Sequence, residues 1–151
     1  MKDDYEYCEQ NYDYLKSKSS EELIKLIDDF NYINETVEAI DILSERDSEK
    51  ALEKGLNFLW NNDGDEYFQA MIIDIIDDID FHKVLECLVN RKDYIQAYLL
   101  GELMEEMVVY SSYGYVNSYV NLVNKQYMLL NDKEKMKIDV KYNEFVDEFK
   151  I

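Results

Sequence analysis

Apolar side chains recur at three- and four-residue intervals along most of this chain, the spacing that gathers them on one side of an α-helix. Leu23, Ile24, Leu26, Ile27 and Phe30 form the clearest set, and Ser19-Ser20-Glu21-Glu22 precedes them as a capping box with Ser19 as N-cap. Ahead of it, Asp4 to Lys16 predicts a short helix carrying Tyr5, Tyr7, Cys8, Tyr12 and Leu15. A third helix is expected from about Asn34, with Val37, Ile40 and Leu43 inward and Glu35, Glu38 and Asp41 outward. Glu45-Arg46-Asp47-Ser48 ends it and caps a fourth, whose stripe is Ala51, Leu52, Leu56, Leu59 and Trp60.

Asn61-Asn62-Asp63-Gly64 reads as a turn, with Gly64 free to take a positive φ and Asp63 capping the next helix, Glu66 at the boxed position. That helix runs to Ile79 on Phe68, Met71, Ile72, Ile75, Ile76 and Ile79, and Asp80 caps a shorter one with Val84, Leu85, Leu88 and Val89. After Arg91-Lys92-Asp93, Tyr94 to Val109 sets Ile95, Leu99, Leu103 and Met107 against Glu102, Glu105 and Glu106. Ser111 to Leu130 follows as a helix on Val116, Tyr119, Val120, Val123, Tyr127 and Leu130, although Val108-Val109-Tyr110 and Tyr113-Gly114-Tyr115 also suit short strands. Asn131-Asp132-Lys133-Glu134 then caps a last helix bearing Met136, Val140, Phe145 and Phe149.

Pairs of these helices repeat. Ile40 and Leu43 with Ala51, Leu52 and Leu56 align with Ile73 and Ile76 with Val84, Leu85 and Leu88, at an offset of about 33 residues. Leu99 and Leu103 with Val116 and Val120 make a looser third unit. Each hairpin has an apolar side that only a neighbour can cover, which is the logic of a solenoid. The pattern from Leu23 to Leu130 resembles HEAT repeats without their proline. The expectation is an all-α chain of stacked antiparallel helical hairpins, HEAT-like but irregular, with about eight helices; a compact irregular bundle is the alternative. It is read as one helical domain, 1–151, with accessory helices at 4–16 and 132–150.

Composition sharpens this reading. The chain has no Pro and 4 Gly in 151 residues, few breakers for anything but helix, and 47% hydrophobic residues, enough for a core. Against 16 Lys+Arg stand 34 Asp+Glu, a formal net charge of -18. Such a field repels nucleic acid and anionic membranes and attracts cationic surfaces. The densest basic run, Lys133, Lys135, Lys137 and Lys141, is interleaved with Asp132, Glu134, Asp139 and Glu144 and makes no phosphate-binding stripe. No apolar run spans a bilayer, and Met1-Lys2-Asp3-Asp4-Tyr5-Glu6 has neither the basic nor the apolar part of an export signal, so a cytoplasmic protein is expected. The bias toward Asn, Ile, Lys, Tyr and Asp resembles that of AT-rich bacterial genomes.

Tests for chemistry fail one by one. Asp74, Asp77 and Asp78 share a helix face at spacings a divalent cation can use, and the run superficially resembles the aspartate motifs of isoprenoid synthases. No second cluster matches it and the chain is too short, so a solvated acidic face is the simpler account. Asn61 to Glu66 invites a calcium loop, but Gly64 falls fourth rather than sixth and the twelfth place is Ile72. His82 is the lone histidine, five residues from Cys87 and turned away from it on a helix; Cys8 and Cys87 are read as ordinary thiols. With no zinc spacing, phosphate loop or serine elbow, no enzyme, metal or cofactor is expected.

The 14 tyrosines are the second unusual count. Phenol rings beside carboxylates suit an interface, giving buried area, a hydrogen bond and a face for a cation. Acidic surface, small helical domain, degenerate hairpins and absent site chemistry together resemble the immunity proteins of bacterial polymorphic-toxin systems, of the mostly α-helical, HEAT-like kind. The nearest residue-level support is Val37-Glu38-Ala39-Ile40 with Ala51-Leu52-Glu53-Lys54-Gly55-Leu56. The resemblance implies a stoichiometric inhibitor that covers the active site or substrate groove of a cognate basic toxin domain, such as a nuclease. Leading contact residues are then Asp74, Asp77, Asp78, Glu102, Glu105 and Glu106, with Tyr110, Tyr113, Tyr115 and Tyr119 as anchors. The other readings are an acidic helical adaptor and a DNA-mimicking inhibitor.

Overall fold

Side-chain caps set several of the helix starts. The computed structural model describes residues 9–151, with side chains from Tyr12 onward. Every regular element among them is a helix: α1 (Glu9–Lys16), α2 (Ser20–Asp29), α3 (Ile33–Arg46), α4 (Ser48–Trp60), α5 (Glu66–Asn90), α6 (Ala97–Val109), α7 (Gly114–Asn117), α8 (Val120–Met128), α9 (Asp132–Lys137) and α10 (Asp139–Phe149). Tyr5, Tyr7 and Cys8, and the expected start of the first helix at Asp4, lie outside the described residues. Ser19 Oγ accepts the Glu22 N–H at 3.2 Å, Asp47 Oδ1 accepts that of Lys50 at 3.1 Å, and Asn131 and Glu134 form a reciprocal capping box. At the 61–65 turn the cap is Asp65, bonded to the Phe68 N–H at 2.8 Å, and not Asp63. Gly64 takes the positive φ that the sequence pattern suggests, 70°, and the cap falls two residues later than expected.

Residues 66–90 run as one helix only nominally. Asp80 leaves helical geometry (φ −161°, ψ 87°), and its Oδ1 accepts the Lys83 N–H at 3.1 Å. The element is therefore a 66–79 limb and an 81–90 limb, the second capped by Asp80 as the sequence predicts.

How the helices stack is written in their hydrogen-bond separations. Tyr98 N–H bonds Glu66 and Tyr110 bonds Asp78, both 32 residues away; Cys87 bonds the Leu56 carbonyl and Arg91 that of Leu59, 31 and 32 residues away. A separation that stays constant along two helices means that they run parallel. So the first limb of α5 stacks parallel to α6, and the second limb parallel to α4. Within a hairpin the sense reverses: Gly55 meets Ile72 and Ile76 while Phe58, later in α4, meets Phe68, earlier in α5. These are stacked antiparallel hairpins with the period the apolar pattern announces, α3–α4 followed by the two limbs of α5 and then α6–α8. α1 and α2 pack on α3 at one end. At the other, α10 returns onto α6 and closes the stack.

Close approach within the stack is set by small groups and rings. A Cβ on Gly55 would lie 2.9 Å from Ile76 Cγ2, and one on Gly101 2.8 Å from Ile138 Cγ2, so both helix contacts depend on a missing methyl. Phe30, Phe58 and Phe68 interlock with centroids 4.9 to 5.2 Å apart, Phe30 reaching in from a left-handed residue (φ 45°) that ends α2. Leu23, Ile27, Ile40, Leu43, Ile72, Ile73, Ile76, Leu85, Leu99, Leu103 and Val116 continue the same core.

Three expectations need correction. Trp60 is 52% exposed at the end of α4 and not on the core stripe; Phe58 takes the inward place. The helix expected over 111–130 is two, α7 and α8, because Ser118 and Tyr119 donate their N–H groups to carbonyls three residues back and tighten the turn between them. No strand forms at 108–115. The helix expected over 132–150 also breaks, at Ile138 (φ −127°), whose side chain turns into the notch at Gly101. That break moves Met136 and Val140 outward, to 73% and 65% exposure, while Phe145 stays buried.

Candidate functional site

The parallel stacking of α5 on α6 brings together acidic residues that lie about one repeat apart in sequence. Asp74, Asp77 and Asp78 come from the first limb of α5, and Glu102, Glu105 and Glu106 from α6. All six expected acids thus meet along one inter-helix seam. Asp74, Asp78 and Glu105 are exposed, and Glu102 and Glu106 are half-buried. Asp77 departs from the expected solvated face: it is only 8% exposed, because α6 covers that flank of α5.

Lys141 of α10 is the cation in this seam. Its ammonium bonds Glu102 and also Glu105, the latter at 2.9 Å. Burial works against the lysine's charge, but hydrogen bonds to the two glutamates outweigh it and hold its pKa above the ordinary value. Asp74 is raised by burial and then by Glu102, Asp77 and Glu105, with Lys141 opposing.

The centre of the seam holds Asp77 from α5 and Glu106 from α6. Asp77 Oδ1 also accepts the Asp78 N–H at 2.8 Å. Burial, then the neighbouring Asp77 carboxyl and the charges of Asp74 and Glu105, push Glu106 up to about 8. Asp77 is raised as well, by burial first.

Beyond the acids the seam turns aromatic. Tyr110 donates its hydroxyl to Asp78 Oδ1 at 2.8 Å and stacks on Phe81 at 4.7 Å. From Tyr110 a row of rings continues through Tyr113 and Tyr115, each step 6.0 Å, to His82, whose ring lies parallel to Tyr115 at 4.5 Å. His82 Nε2 stands 3.1 Å from the Tyr119 hydroxyl. All four expected tyrosines belong to this row. Tyr113 is the most open, at 56% exposure, and nothing lies within 4 Å of the position a Cβ on its neighbour Gly114 would take. Burial first, then the bond to Asp78 and nearby acids, raise Tyr110 far above an ordinary phenol, so its proton stays on and it remains a donor.

Three contributors escape sequence reasoning. Phe81 and His82 follow the aspartates by about one helical turn, and that spacing was the available signal; taken singly, His82 reads as a lone boundary residue. Lys141 gives no local signal, being 39 residues from Glu102.

Elsewhere, Cys87 donates its thiol to the Leu56 carbonyl at 3.6 Å, and burial pushes it up to about 11, a thiol and not a nucleophile. Among the described residues no group of His, Cys, Asp or Glu is arranged to hold a metal ion, and no helix is long and apolar enough to cross a membrane. No protein-family model, curated protein or solved structure matches the chain.

Proposed function

We propose that this protein is a stoichiometric inhibitor of the immunity type, which lays the α5–α6 seam and its tyrosine row over the basic active-site groove of a cognate toxin domain. The observation that carries the reading is the convergence of six acids from two repeats with one internal cation, beside an open row of aromatic rings. A face of this kind steers a cationic partner from a distance and offers it rings to pack on at contact. Occlusion needs no chemistry from the inhibitor.

The experiment is isolation of the complex from the native cell, followed by co-expression of the captured partner with and without this protein. The expected result is a basic, toxic partner held in a stoichiometric complex that loosens with salt, and cells rescued by co-expression. Absence of a toxic basic partner, or no rescue, overturns the reading in favour of an acidic helical adaptor.

A further inference from the structure

We infer that the outer face of α8 is a self-association surface, on which a second copy of this chain docks. Residues 107–131 contain no Asp or Glu, although the chain has 34 of them, and Lys125 is the one charged side chain in that stretch. The exposed aliphatic residues gather in the same part of the molecule: among the described residues, every exposed Leu, Ile, Val or Met lies at or beyond Val109. On α8 the two features coincide. Val120 and Val123 face inward, and Asn124 and Tyr127 meet Tyr142 of α10. The opposite side presents Leu122, Lys125, Met128 and, just past the last turn, Leu129, which is 69% exposed. The equivalent helices of the earlier hairpins present polar groups instead: α4 exposes Glu49, Glu53 and Asn57, and the second limb of α5 exposes His82, Lys83, Glu86 and Asn90. A repeat that closes a stack toward water needs such a polar face, and α8 lacks it.

Charge decides what covers this face. A cationic toxin domain finds no acid here to steer it, since the acids that attract it lie along α5 and α6. Two copies of a chain of net charge -18 repel wherever their acids meet, and the acid-free stretch is where they approach with the least repulsion. Its single charge, Lys125, is opposite in sign to the chain it faces, and its long stem lets the ammonium reach past the contact to water or to the second copy's acids. A two-fold contact sets the same patch against itself, so the apolar side chains of α8 cover their own counterparts. One helix face is small beside the roughly 800 Å² per partner of stable complexes, so the dimer is weak and forms as concentration rises. The contact uses none of the acidic seam, and it goes beyond the docking reading without depending on it.

The test is analytical ultracentrifugation of the full chain from about 10 μM to about 1 mM, a range that spans weak association. It is repeated at about 50 mM and about 500 mM salt, which shortens the reach of the acids roughly threefold. The expected result is a monomer–dimer equilibrium that tightens with salt, the opposite of the salt response of a complex with a cationic toxin. Leu129→Glu places an acid on the face of each copy, at an exposed position where the fold has little at stake, and is expected to weaken the dimer by more than about tenfold. A monomer at every concentration and salt, an association that loosens with salt, or a dimer that Leu129→Glu leaves unchanged overturns the inference. Should Leu129→Glu disturb the fold, Met128→Glu on the same face makes the same comparison.

Discussion

The first limb of α5 meets α4 on one side and α6 on the other in opposite chemical styles. Toward α4 the contact is dry and closely fitted: Gly55 admits Ile76, Phe58 and Phe68 interlock with Phe30, and the buried Arg91 guanidinium ties Leu59 and Gln69 together at 2.8 Å each. Toward α6 it is lined with carboxyl groups and one lysine. Apart from Arg91, the first junction is made of groups that gain from leaving water, and the second of groups that lose by it. A fold that needed only cohesion would build both alike. The acid-lined junction is where the proposed docking face lies, with the α4 junction packed behind it.

The contrast can be broken most sharply at Phe68. Phe68→Ala empties the middle of the ring cluster and is expected to cost about 3–5 kcal/mol in chemical denaturation. Next comes Arg91→Met, which keeps the bulk but leaves the Leu59 carbonyl and Gln69 Oε1 without their donor; about 1–3 kcal/mol is expected, reduced by removal of a buried charge whose pKa burial already lowers. On the other side, Asp74→Asn with Asp78→Asn should leave the melting temperature within a degree or two, since exposed substitutions shift stability by about 0.5 kcal/mol or less. The same pair should weaken binding of a cationic partner and flatten its salt dependence. A large loss of stability from the double substitution, or none from Phe68→Ala, would erase the distinction between the two junctions.

Much of this was legible in the chain, and the reason is locality. Caps such as Ser19, Asp47, Asp80 and Asn131 act within four residues, and the stripes at Ile40, Leu43, Ile73 and Ile76 report a face directly, so helices and repeat period follow from neighbours in sequence. The acidic seam was legible for a related reason: stacking at a fixed period brings together residues that occupy equivalent positions in successive units, as Asp78 and Tyr110 do. What escaped was decided over longer distances or by a single backbone break. Nothing near Ile138 announces that it will turn into Gly101, and without that turn Met136 and Val140 read as core. Asp77 looks like its solvated neighbours Asp74 and Asp78 until α6 covers it. Trp60 and Phe58 both fit an apolar stripe, and only the ring cluster chooses between them.

The grip of Lys141 on Glu102 and Glu105 has a consequence for the order in which the chain is made. Synthesis delivers the helices from the N-terminal end, so α5 and α6 leave the ribosome before α10. Until residue 141 emerges, the crowded carboxylates lack their internal counter-ion, and the Gly101 notch lacks Ile138. The outer face of α6 is therefore completed late, by a segment 39 residues downstream of Glu102. A nascent chain stalled just short of α10 would carry Glu102 and Glu105 without the lysine that bridges them.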